Sequence, residues 1–138
     1  MPTPPNFAIL DYEPTVAFTA VVASDGNIAA GTLVGLNASG EAVNANAVDD
    51  PEEDLVQALG IAAYAADVGE HVLILPMCTV YVSTALTFRG VTLYATDAGG
   101  YDETAPAAPG DLRQVVGYGS AQSSVLKFAI QPTPVVVP

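Results

Sequence analysis

The chain has no tryptophan, one cysteine, one histidine and three cationic side chains, Arg89, Arg113 and Lys127. Each scarcity excludes something. Cys78 has no partner for an internal disulfide or a paired-thiol metal site. It follows the apolar run Val72 to Leu75 and reads as a small buried hydrophobe. With His71 alone, no histidine pair can hold a metal, and any Ser-His-Asp arrangement would depend on that one ring. His71 lies in a strand-like run, where a structural or surface imidazole is the plain reading. There is no nucleophile elbow, no Gly/Lys phosphate loop and no paired-Cys signature. Three cations stand against 15 carboxylates, a formal net charge of -12. That balance argues against nucleic acid as a partner, because binding it relies on Lys and Arg to displace phosphate counterions. No apolar stretch reaches the ~18 residues of a membrane span. The opening Met1 to Pro5 lacks the basic head and apolar run of a secretory signal. The sequence thus reads as that of a protein that is not an enzyme and uses no cofactor or metal.

What is present points to strands. Hydrophobic residues make up 51% of 138 residues, weighted toward Ala and Val, with 12 Gly and 11 Pro as punctuation. That mixture predicts one all-β domain, a small barrel or sandwich. Two explanations of the acidity compete: a basic partner surface, or adaptation to molar salt, where self-repulsion is screened within a few ångströms. The near absence of lysine favours the halophilic reading.

The chain also repeats itself, a feature to be sought before any other. Leu59 to Pro76 reads as two short strands around a turn carrying Asp67 and Gly69, and 57 residues after Gly60 the pattern returns at Gly117. There Val116 to Ala121 leads through Gln122 to Ser124 into Val125 to Pro132, so that Gly60 answers Gly117 and Pro76 answers Pro132. Upstream, Gly31 to Gly40 aligns with Gly90 to Gly100, matching Thr32 with Thr92 and Leu33 with Leu93. The halves, about 28–76 and 88–131, are each too small to bury a good core alone, so they are expected to close on one another within a body spanning 15–131.

Around this body, residues 1–14 read as an extended arm, because Pro2, Pro4, Pro5 and Pro14 remove amide donors. Its Phe7, Ile9 and Leu10 suit an arm lying along another surface, of this subunit or a neighbour; the plain alternative is a frayed terminus. Residues 132–138 form a tail in which Val135, Val136 and Val137 are bracketed by prolines and suit docking on a neighbour as an edge strand. Thr15 to Ala23 reads as a strand with Val16, Phe18, Ala20 and Val22 on one face, turning at Ser24 to Asn27 into Ile28 to Leu36. Thr79 to Ser83 alternates, Val80 and Val82 opposing Thr79 and Tyr81. The acidic run Asp49 to Asp54 fits no calcium loop and reads as a solvated loop, or as one helical turn capped by Asp50. Asn37-Ala38-Ser39 is a formal glycosylation acceptor on a turn.

The segments Ala30 to Leu36, Ser39 to Val43, Leu59 to Ala62 and Asp67 to Leu75 together resemble the small head-decoration, or capsid cement, proteins of tailed viruses. The resemblance covers about 28–76, with 88–131 as a degenerate second copy. It implies a compact β-fold, homotrimers on the outer surface of a virion, contacts with the major capsid protein, and a terminal arm ordered against that partner. With the acidity, it implies a virus of a halophilic host. Candidate contacts are Pro4, Pro5, Phe7, Ile9, Leu10, Val135, Val136 and Val137, and loss of residues 1–10 is expected to leave the body folded while weakening capsid binding. Other readings are a spike, turret base or tail tube, then a ligand-binding β-barrel, and last a hydrolase.

Overall fold

A computed structural model describes residues 7–82, 90–122, 124–131 and 133–138; Pro4, Pro5 and Pro132 lie outside them. The described residues form thirteen strands and no helix. A five-stranded sheet has the order β2 (Phe18–Val21), β6 (His71–Leu75), β5 (Gly60–Ala62), β3 (Leu33–Leu36), β4 (Ala42–Asn44). A six-stranded sheet has the order β1 (Phe7–Tyr12), β7 (Met77–Val82), β12 (Val125–Ala129), β11 (Val115–Gly119), β8 (Thr92–Ala95), β9 (Tyr101–Asp102). A ribbon pairs β10 (Leu112–Arg113) with β13 (Val135–Val136). Neighbouring strands are antiparallel throughout.

The repeat is present in the topology. The order β2-β6-β5-β3-β4 in one sheet and β7-β12-β11-β8-β9 in the other is the same permutation once β10 is set aside. Each unit begins one strand earlier than the sequence match, at β2 and at β7. The two matched glycines do the same job. A Cβ on Gly60 would stand 2.8 Å from the Leu75 carbonyl carbon, and one on Gly117 would overlap the Lys127 carbonyl oxygen and stand 2.9 Å from Phe128 Cα. Each lets its hairpin partner come closer than any side chain allows. The proline match does not extend to the pairing: Gly117 sits opposite Phe128, four residues short of Pro132.

The two sheets pack as a sandwich. Leu33, Ile61 and Leu75 of one meet Val80, Leu93, Val116, Leu126 and Phe128 of the other, all buried. The five-stranded sheet also curls until Val22, just past β2, bridges Ala42 of β4, with the Ala23 N–H donating to the Ala42 carbonyl at 3.0 Å. The curl encloses Ala20, Val22, Val34, Ala62, Val72 and Ile74. One bridge does not make a closed barrel, so of the two architectures expected, the sandwich is the one formed.

Ile28 explains the largest local departure from expectation. It fills the curl, 2% exposed, and exchanges N–H···O bonds of 2.9 Å in both directions with Ala66. The expected hairpin between Thr15–Ala23 and Ile28–Leu36 is therefore not formed; β2 pairs with β6 instead. β2 is also shorter than expected, because the Ala17 N–H turns back to the Pro14 carbonyl at 3.3 Å, leaving Val16 41% exposed. The acidic run makes no helical turn. Asp50 accepts the Glu52 N–H at 2.8 Å and bridges to Glu53 in a tight exposed turn.

Buried polar side chains tie the loops to the body. The Gln114 amide, 1% exposed, accepts the Ala58 N–H at 2.8 Å and donates to the carbonyls of Ala58 and Gln131, both at 2.7 Å. It stands in for a strand, linking the segment that enters β5 to the segment that leaves β12. Asp111, 3% exposed, accepts from the amides of Asp49 at 2.8 Å and Ala108 at 3.1 Å.

Replacing Gln114→Leu keeps the volume but leaves the two buried backbone groups of Ala58 unpaired, so stability should fall by about 2 kcal/mol or more in denaturant unfolding. Gly117→Ala forces β11 and β12 apart and should cost about 2 kcal/mol, read the same way. An unchanged midpoint in either variant would contradict the role assigned to that residue.

Candidate interaction surfaces

The terminal candidates divide by burial. Phe7 and Ile9 are half-buried and pack against the inter-sheet core, Ile9 in register with Val80. A register shift between Ile9 and Asp11 separates them from Leu10, which is 57% exposed. The N-terminal segment is thus extended, as expected, but from Phe7 onward it lies on its own subunit as an edge strand. Removal of residues 1–10 would take four of the six residues of β1 with it, including Phe7 and Ile9 from the edge of the core, so that deletion is expected to lower the stability of the body. At the other end, Val135 and Val136 pair with Arg113 and Leu112 and are 64% and 57% exposed. Val137 is half-buried; its N–H donates to the Asp111 carbonyl at 2.8 Å and its carbonyl accepts from Gly110 at 2.9 Å. The tail therefore docks as an edge strand, but on its own chain and not on a neighbour as expected, because β10 offers it a partner. The two groups of candidates sit on separate sheets, the first on the six-stranded sheet and the second on the β10–β13 ribbon.

A third surface was not singled out from the sequence. Alternation along the six-stranded sheet turns Val80, Leu93, Leu126 and Phe128 inward, and leaves Met77, Thr79, Tyr81, Tyr94, Tyr118 and Lys127 exposed or half-buried. Register draws one row across five strands: Asp11, Thr79, Lys127, Tyr118, Thr92. β7, β8, β11 and β12 carry no carboxylate. A signal was available, since aromatic residues on the polar side of an alternating strand mark a face that meets something other than water.

The acidic loop forms one wall of a cleft of about 570 Å³ beside β4, with Asp25, Glu52, Glu53 and Asp54 around Leu36 and Val43. Among the described residues no group of three or more His, Cys, Asp or Glu is placed to hold a metal ion. Asn37 accepts the amides of Ser39 at 2.9 Å and Glu41 at 3.0 Å and donates to the Glu41 carboxylate at 3.3 Å. Its side chain is committed to the β3–β4 turn. His71 is exposed. Cys78 faces the core, and burial pushes its thiol up to about 12 from an ordinary 9.0. Burial also raises the Tyr101 phenol, whose ring meets Phe128 edge-on at 5.1 Å. No protein-family model matches the chain, and no curated protein sequence matches it.

The raised thiol has a consequence for stability. Between pH 9.0 and about 12 the unfolded chain has lost the thiol proton that the folded chain keeps. The folded state then binds more protons, and stability falls as pH rises through that window. Urea midpoints of the wild type should decline from pH 8 to 11, and Cys78→Ala should flatten part of that decline.

Proposed function

We propose that this chain is a structural virion protein that binds the outer surface of a viral capsid and clamps neighbouring major capsid protein subunits. One observation carries the reading: β1 and β13 are laid as short edge strands on the β-body, with Leu10, Val135 and Val136 turned outward. The resemblance of residues 28–76 to capsid cement proteins supports it, and supplies the homotrimer as the arrangement expected on the capsid surface. An edge strand offers unpaired N–H and C=O groups to a neighbouring chain, with apolar side chains beside them to select the partner. A protein that binds the assembled shell in preference to free subunits stabilises the shell by mass action. Many copies act together, so each contact can be modest. In the molar salt that the acidic composition suits, charge attraction is screened and main-chain and apolar contacts supply the affinity.

The test is co-sedimentation with purified heads in molar salt, with copy number measured at saturation. Saturable binding in many copies is the expected result, and removal of residues 133–138 should weaken it by about tenfold or more. Failure to co-sediment at any concentration removes the reading. Rings or tubes formed without capsids would point to a tail or turret component. Binding to neither would bring forward ligand binding, with the cleft beside β4 as its place.

A further inference from the structure

We infer that the outer face of the six-stranded sheet is a self-association surface whose occupant is the same face of a second copy, related by a two-fold axis. The inference does not rest on the capsid reading and uses none of the terminal valines.

The argument begins with charge. Each copy carries -12, so two copies repel one another wherever carboxylates are dense. The four adjacent strands β7, β12, β11 and β8 have none, and they hold one of the three cations, Lys127. Exposed apolar area coincides with this gap: Met77 is 47% exposed and Tyr118 is 49% exposed. Along the outer face runs a shallow depression of about 340 Å³, lined by Thr79 and Ala129, with Asp11 and Glu13 from the β1 side and Lys127 and Tyr118 from β12 and β11.

Register then selects the partner. The depression spans four adjacent strands in the order β1, β7, β12, β11, and the row across them reads Asp11, Thr79, Lys127, Tyr118. A two-fold axis lying between β7 and β12 reverses that order in the facing copy. Asp11 then stands over Tyr118, and Thr79 over Lys127, twice in one contact. Tyr118 brings a phenol O–H to a carboxylate. The Lys127 ammonium, on its long stem, reaches the same carboxylate from one strand away, since strands lie ~4.8 Å apart. The face is thus complementary to itself, the condition for an isologous pair. Four strands of this length offer roughly 350 Å² per copy in projection, below the ~800 Å² per partner of a stable complex, so the pair is weak and concentration-dependent. Added salt strengthens it, because screening relieves the mutual repulsion of the two acidic bodies.

Sedimentation equilibrium of the full chain in 0.1 to 1 M NaCl tests this, with thermal midpoints confirming that each variant is folded. The wild type should dimerise reversibly, more tightly at the higher salt. Tyr118→Ala should weaken the dimer about tenfold, the scale of losing an aromatic anchor. At 0.1 M salt Lys127→Asp should weaken it, the double exchange of Asp11→Lys with Lys127→Asp should restore it, and Arg113→Asp, the same charge change on β10, should weaken it less than Lys127→Asp does. A chain that stays monomeric at millimolar concentration in every salt overturns the inference. So does an oligomer that Tyr118→Ala and Lys127→Asp leave unchanged, or a double exchange that fails to recover.

Discussion

Leu33, Ile61 and Leu75 on one sheet are shielded from water by Val80, Leu93, Val116, Leu126 and Phe128 on the other, and neither set has a second apolar surface to turn to. Each half of the repeat presents a face that the other half covers, and the first half, contrary to the expectation for so small a unit, also encloses a cluster of its own inside the curl. Loops that cross between the halves must then satisfy their backbone groups at the seam. Gln114 does this for Ala58 and Gln131, and Asp111 does it for Asp49 and Ala108. The apolar contact holds the halves together, and the buried amide and carboxylate set where the connecting chain runs.

Within that shared topology the two units part ways. The first curls, brings Val22 to Ala42 and closes over Ile28, so that its sheet is buried on both faces. The second keeps its sheet open and carries Thr, Tyr and Lys on the outer side instead of Ala and Val. One copy has become scaffold and the other has kept a surface. The edges differ as well. β1 extends the open sheet along β7, and β13 pairs with β10, so each of these two strands leaves an edge available for pairing. A cement protein and a self-associating one make the same demand on such a body: a rigid platform with uncharged places where another chain can approach.

Much of this architecture was legible in the residues. Gly60 and Gly117 announced the two hairpins, because a close backbone approach leaves room for no other residue. The alternation of Val80 and Val82 with Thr79 and Tyr81 gave the strand and its inward face. What was missed were matters of partnership. Thr15 to Leu36 reads locally as a hairpin, yet β2 pairs with β6, because Ile28 is worth more inside the curl than in a ladder beside β2. Phe7 and Ile9 look like free arm residues in a proline-rich segment, but the exposed edge of β7 gives them a place on their own subunit.

By itself the sequence determined the strand content, the doubled unit, the net charge of -12 and the scarcity of histidine, cysteine and cationic side chains, because these follow from composition, period-two alternation and glycine placement. Only the tertiary structure decided which strands are neighbours, that one sheet curls while its counterpart stays open, and that Asp11, Lys127 and Tyr118 share one row. Those outcomes depend on pairings between residues as far apart as 11 and 79, and local propensity carries no record of them.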